Sequence, residues 1–223
     1  MVVVPQILLD NFMSIQVISI VNKPISSVTY IIYKEQGGDC VIIDPGSEYP
    51  DEIEKELIAK NLKPIYIILT HEHFDHIWSS NFFIKKYNPT ILCSEYCAKA
   101  IQNSKLNLSI FYDSNCAFQI CPNKLIIVND SDSFPCLDSI LVIKEAQGHS
   151  LGGILIKFDK FIFTGDTLIK DLKTVTKLKN ASKIKLYESI EYLNRLKGDN
   201  YIILPGHGEP FELDNYNLLL ACN

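Results

Sequence analysis

The chain contains five histidines, and each lies close to Gly, Asp or another His at the end of an apolar run. His71, Glu72, His73, Phe74, Asp75 and His76 follow the stretch PIYIIL (64–69) after a single threonine. In extended backbone, residues two apart project to the same side, so His71 and His73 can reach one metal ion together. Where the chain then turns into a helix, Asp75 and His76 swing towards a second point a few ångströms away. Gly148-His149-Ser150 closes the run SILVIKEAQ, and Gly206-His207-Gly208 closes YIILP. Gly165-Asp166 follows KFIF in the same manner and delivers a carboxylate. A lone histidine is usually structural. A dense HEHFDH cluster followed in order by a Gly-flanked His, a Gly-flanked Asp and a second Gly-flanked His is a metal-ligand set, with imidazole and carboxylate mixed as divalent transition metals accept them.

The elements that must position these groups can be read from periodicity. Ile15–Val21, Val28–Lys34 and Cys40–Asp44 read as strands, with Gly37-Gly38 as the turn between the last two. Pro50–Asn61 has helical spacing at Ile53, Leu57 and Ile58 and acids in its first turn. Pro64–Leu69 is almost wholly apolar, as a strand covered on both faces should be. Ile77–Tyr87 and Glu95–Ser104 read as helices around a strand at Thr90–Cys93. Further strands are expected at Leu125–Val128, Ile140–Ala146, Ile154–Phe158, Phe161–Thr164 and Tyr201–Leu204, with a helix at Ile184–Lys197 before the last of them. Strand groups interrupted by helices in both halves imply two sheets covered outside by helices, within one domain spanning residues 1–223. Asn103–Asn123 carries no clear pattern and is read as a loop over the site.

Composition narrows the function classes. Lys plus Arg (21) against Asp plus Glu (26) gives −5, which argues against a general polyanion binder, so no nucleic-acid partner is expected. No window approaches ~18 consecutive apolar residues, so no membrane partner is expected either. The first twenty residues lack a basic n-region, and the seven cysteines form no CxxC and cannot all pair; a reduced, cytoplasmic chain is the simplest reading. Cys93/Cys97 and Cys116/Cys121 could make a small metal site, but buried free thiols are commoner.

The order HxHxDH, GH, GD, PGHG resembles the metallo-β-lactamase superfamily, and specifically its glyoxalase II-like (hydroxyacylglutathione hydrolase-like) small hydrolases. The likeness runs from Ile43-Asp44-Pro45-Gly46 to Pro205-Gly206-His207-Gly208. It implies an α/β fold, a four-layer αββα metallo-β-lactamase-type sandwich with the metals at one edge. It also implies two divalent metal ions, zinc first, with iron or manganese tolerated by the same ligands. On this likeness His71, His73 and His149 hold one ion, Asp75, His76 and His207 the other, and Asp166 bridges them. Two such ions ~3.5–4 Å apart can share a hydroxide near neutral pH, with Asp75 in a catalytic role, orienting it and accepting its proton. The implied reaction is hydrolysis of a small thioester, ester or lactone.

Two other readings use similar motifs. An iron-dependent persulfide dioxygenase-like oxidoreductase would need only the first site plus Asp166, leaving His76 and His207 without purpose. A nuclease of the RNA-processing branch finds encouragement in lysines 170, 173, 177, 179, 183 and 185, but its usual inserted elements do not fit in 223 residues. Those lysines could instead draw an anionic small-molecule substrate to the pocket mouth, or form a solvated loop. Departures from the family pattern are Trp78-Ser79-Ser80 after His76, where a Gly pair is common, and Leu151-Gly152-Gly153 after His149. Trp78 either narrows the pocket beside the metals or packs into the core, with core packing the preferred reading. Only about sixteen residues follow His207, too few for a helical region that would hold glutathione. Oligomeric state is not legible.

Overall fold

The computed structural model describes residues 15–115 and 117–222. Twelve strands divide into two six-stranded mixed sheets that lie face to face, with helices on both outer surfaces. The first sheet orders β1 (Gln16–Val21), β2 (Val28–Tyr33), β3 (Asp39–Ile43), β4 (Lys63–Ile68), β5 (Thr90–Cys93) and β6 (Leu125–Ile127) in sequence. Its first three strands form an antiparallel meander, and β3 to β6 run parallel. Parallel neighbours need crossovers. These are α1 (Asp51–Ala59), the pair α2 (Phe74–Ile77) and α3 (Ser80–Tyr87), and then α4 (Glu95–Ala100) with the short α5 (Ser109–Tyr112). The second sheet orders β12 (Phe211–Glu212), β11 (Ile202–Pro205), β10 (Phe161–Gly165), β9 (Ile154–Phe158), β8 (Ser139–Glu145) and β7 (Ser133–Cys136). Its one parallel pair, β10 with β11, is spanned by α6 (Lys183–Arg195).

The period-two pattern of the apolar strands accounts for the layering. Ile31, Ile42, Ile67 and Ile91 point outward to Ile53, Leu57, Phe83 and Ile101 of the helices and the turn after α4. Their neighbours Tyr30, Ile32, Val41, Ile43, Ile68 and Leu92 point inward and meet Leu141, Ile143, Ile156, Phe158 and Phe163 of the second sheet. Leu155, Ile162 and Ile203 face the other way, onto Leu186, Ile190 and Leu193, which recur every three or four residues along α6. This is the αββα sandwich that the motif order implies.

The expected helix Ile77–Tyr87 is interrupted. Ser79 turns its N–H to the Pro45 carbonyl (3.0 Å) instead of back along the helix, and its hydroxyl donates to the same oxygen (3.0 Å). The expected helix Glu95–Ser104 closes at Ala100, because the chain then folds into tight turns about Asn103. The unpatterned Asn103–Asn123 contains α5, tied to the ligand segment by a bond from Phe74 N–H to the Asn107 carbonyl (2.8 Å). Trp78 is half-buried rather than in the core: it lies in an aromatic group with Phe74, Tyr112 and Phe118. Among the described cysteines Cys93 and Cys97 are buried free thiols and Cys121 is exposed; Cys116 lies outside the described residues.

Candidate metal centre

All seven residues singled out from the sequence meet at one edge of the sandwich, where strands of both sheets end. His71 follows β4 by three residues, His73 caps α2, and Asp75 and His76 lie within that single turn. His149 lies in the loop after β8, Asp166 directly after β10, and His207 two residues after β11. Two cross-sheet bonds lock this edge: Ile154 N–H to the Thr70 carbonyl (2.8 Å) and Val28 N–H to the Gly206 carbonyl (2.7 Å). Gly206 is required by proximity, since a methyl group there would lie 2.3 Å from Asp166 Oδ1 and 2.8 Å from His76 Cε1.

Among the described residues the donors form three groups, one of them Asp44, His71 and His76, whose Asp44 carboxylate is already engaged by Thr70 and His76 Nδ1; the other two face inward. One ligand atom from each of His71, His73 and His149 lies within 4.8 Å of the other two, and the same holds for Asp75, His76 and His207. Asp166 touches both: its Oδ1 is 3.3 Å from His76 Nε2, and its Oδ2 is 3.6 Å from both His149 Nε2 and His207 Nε2. Asp75 Oδ2 stands 3.3 Å from His207 Nε2 and 3.6 Å from His76 Nε2. His73 Nδ1 and His149 Nε2 are 3.0 Å apart.

The outer ring nitrogens fix which way the inner ones face. His76 Nδ1 donates to Asp44 Oδ2 (3.0 Å), His149 Nδ1 to the Val175 carbonyl (3.0 Å) and His207 Nδ1 to the Ser26 carbonyl (3.1 Å). Thr70 has one hydroxyl proton, and Asp44 Oδ2 takes it at 2.5 Å. The Thr70 oxygen therefore accepts from His71 Nδ1 (3.0 Å). Four imidazoles consequently turn their Nε2 atoms inward, where a bound ion would meet them. His71 Nε2 is buried without a hydrogen-bond partner, and His76 Nε2 and Asp166 Oδ1 are buried with only each other, 3.3 Å apart, an arrangement that costs free energy unless a cation completes it. The donor set thus fits a pair of divalent ions.

Electrostatics agree with that fit. Burial, helped by His76 and His73, holds His71 well below the usual imidazole range, and burial with His149 pushes His73 down to about 3. Burial also works against a charged His76, but the carboxylates of Asp166, Asp75 and Asp44 outweigh it and raise its pKa well above the ordinary value. Asp166 is held well below the carboxylate range; its burial is overcome by His76, His149 and His71. Metal-free, the centre is a condensed array of imidazoles and carboxylates that shares protons where ligands should be bare.

Asp44 and Thr70 were not anticipated as parts of the site. Asp44 orients His76 directly and His71 through Thr70, and it also accepts the Thr70 N–H (2.8 Å). The sequence signal was present in the turn Ile43-Asp44-Pro45-Gly46, where the aspartate reads as turn chemistry. Glu72, between the first two ligands, is also buried, and burial raises its carboxyl to about 7.

Comparison with known proteins places the molecule in a family. Residues 22–207 match the model of the metallo-beta-lactamase superfamily, and the chain belongs to it. A probable metallo-hydrolase of Methanocaldococcus jannaschii is 30% identical over 190 residues, covering 82% of this chain and 88% of that protein. A hydroxyacylglutathione hydrolase of Buchnera aphidicola is 28% identical over 164 residues, covering 74% of this chain but only 56% of its own length. Among solved structures, the BLEG-1 B3 metallo-beta-lactamase superposes with a TM-score of 0.80 at 24% identity, over 89% of this chain and 94% of that one. ETHE1 from Myxococcus xanthus gives 0.71 at 19% identity, over 93% and 88%.

Proposed function

We propose that the chain hydrolyses a small thioester, ester or lactone, with His71, His73 and His149 holding one divalent ion, Asp75, His76 and His207 the other, and Asp166 shared between them. The observation that carries this reading is the inward orientation of four Nε2 atoms around the two buried carboxylates, each ring anchored behind by an oxygen. Ions held there would supply a water acidified to about neutrality and positive charge for the oxygen that becomes anionic on attack.

The chain's own residues do the rest. Asp44, Thr70, Val175 and Ser26 hold the rings in register, so no reorganisation is needed as charge develops. Asp75, its carboxyl kept ionised by His76 and His207 against the effect of burial, is available to orient a nucleophilic water and take its proton. Support for hydrolysis over an oxidoreductase with one iron comes from the group of Asp75, His76 and His207, for which a single-metal reaction has no use. Zinc is the metal expected first; a structural relative solved in a di-iron-bound form (TM-score 0.76, 21% identity, 92% of this chain) makes iron the alternative to include. The test is a panel on zinc- and iron-reconstituted protein: S-lactoylglutathione, p-nitrophenyl esters, homoserine lactones, β-lactams and a phosphodiester. Turnover confined to acyl substrates and abolished by chelation supports the proposal, whereas cleavage of the phosphodiester alone would replace it with the nuclease.

A further inference from the structure

The centre lies under a strap of chain whose charge differs from that of the whole protein. Residues 170–185 carry six lysines and one acid, so this segment is +5 while the rest of the chain is −10. All six lysines are exposed, and among the described residues only Lys185 has an ion-pair partner, Glu188. Interleaved with them stand Leu172, Val175, Leu178 and Ile184, which are 55%, 52%, 38% and 75% exposed.

The strap is nonetheless firmly placed. Thr174 is buried, its N–H donating to the Ala221 carbonyl (3.0 Å) and its hydroxyl to the Thr167 carbonyl (3.0 Å). The Val175 carbonyl holds His149, Asn180 donates to the Tyr96 hydroxyl (2.7 Å), and Ser182 N–H donates to the Gly148 carbonyl (2.8 Å). The Val175 carbonyl therefore faces the metal centre, other backbone and small polar groups pin the segment to the body of the fold, and cations and aliphatic side chains are exposed. A fixed segment that alternates unpaired lysines with exposed aliphatic residues fits a surface that is both anionic and apolar just below its charge.

We infer that residues 170–185 dock the protein on an anionic lipid surface, lysines on the headgroups and Leu172, Leu178 and Ile184 in the interfacial layer. No helix of the described chain is long and apolar enough to cross a membrane, and a surface contact needs none. The early expectation of no membrane partner rested only on the lack of a spanning run. Nucleic acid is the poorer fit: the segment holds no arginine and no aromatic residue on which a base could stack. The contact also reaches the centre, since the residue whose carbonyl orients His149 lies in the docking segment.

The experiment is co-sedimentation of the full, metal-reconstituted chain with vesicles of phosphatidylcholine alone or of phosphatidylcholine with phosphatidylserine. Binding to the anionic vesicles only, reversed by salt, is expected. Reversing Lys173, Lys177 and Lys179 to Glu should weaken it by at least about a hundredfold, at about fivefold for each cation lost. Leu172→Ser with Leu178→Ser should weaken it while keeping its salt dependence, and these exposed positions leave the thermal midpoint and metal content in place. No vesicle binding, equal binding to neutral vesicles, or unchanged binding by both variants would overturn the inference. So would a wild type that ignores vesicles but binds single-stranded RNA, or one in which charge reversal changes only KM for a soluble anionic substrate.

Discussion

At the scale of single residues, the centre is built in two tiers, and the outer one governs how well the inner one works. Asp44→Ala removes the acceptor that orients His76 and, through Thr70, His71. Metal affinity should fall about 10- to 100-fold, measured by competition with a chromophoric chelator. Unchanged affinity would mean that packing alone holds the rings. Asp75→Ala or His71→Ala should lower kcat at least ~10²-fold on whichever ester is turned over. Glu72 gives a stability test on the metal-free chain. Its folded pKa is raised from 4.5 to about 7, so the folded state keeps a proton that the unfolded state releases between those values. Stability must therefore fall as pH rises through that window, by about 3 kcal/mol in total, and Glu72→Gln should flatten the slope. Urea midpoints with the same pH slope in both proteins would refute it. The seven inner residues were legible because each is a His or Asp beside glycine or another ligand at a strand end. Asp44 and Thr70 were not, because a carboxylate before Pro-Gly and a threonine after an apolar strand look like ordinary turn and strand residues. The Val175 and Ser26 carbonyls leave no side-chain signal at all.

At the scale of elements, strands were legible wherever β-branched runs are buried: Thr90–Cys93 and Ile154–Phe158 match the sequence reading residue for residue. β7 escaped because it is an edge strand, SFPC, in which Pro135 breaks the usual pattern. The two-residue β12 is too short to show any period. α5 is a single turn made by tertiary contacts, not by propensity. Asn107 is fully buried; its amide donates to the Phe118 carbonyl (2.9 Å) and its Oδ1 accepts from Ser109 N–H (2.9 Å). Its backbone carbonyl also accepts from Phe74 N–H, so this residue joins the α5 loop to the start of the ligand helix. Asn107→Ala should cost about 2 kcal/mol in urea unfolding, leaving the buried Ser109 N–H without its acceptor. Its effect on KM should exceed its effect on kcat, since no ligand atom is removed. A variant as stable as wild type would show the loop to be held elsewhere.

At the scale of the whole molecule, the layered order was readable and the distribution of charge over the surface was not. A net charge of −5 conceals a +5 segment whose place at the pocket mouth the sequence offered beside a solvated loop, and the fold adds that its Val175 carbonyl holds His149. The two sheets meet at the ligand edge, so ions bound there join both halves of the sandwich. Chelation should lower the thermal midpoint, because ions that bind only the folded chain stabilise it by mass action. Loading the metal-free chain near pH 7 should release protons, because His76 is charged there and must give up its Nε2 proton to coordinate. An indicator dye in weak buffer reads that release, and none would contradict the protonation assigned to His76.

The central claim is the pairing of two ion sites, and the most direct measurement is metal stoichiometry by elemental analysis after reconstitution and removal of excess ion. Two transition-metal ions per wild-type chain, with one lost in His149→Ala and the other in His207→Ala, is the predicted result. A chain that retains no transition metal, or that hydrolyses its acyl substrate at full rate after exhaustive chelation, would contradict the account.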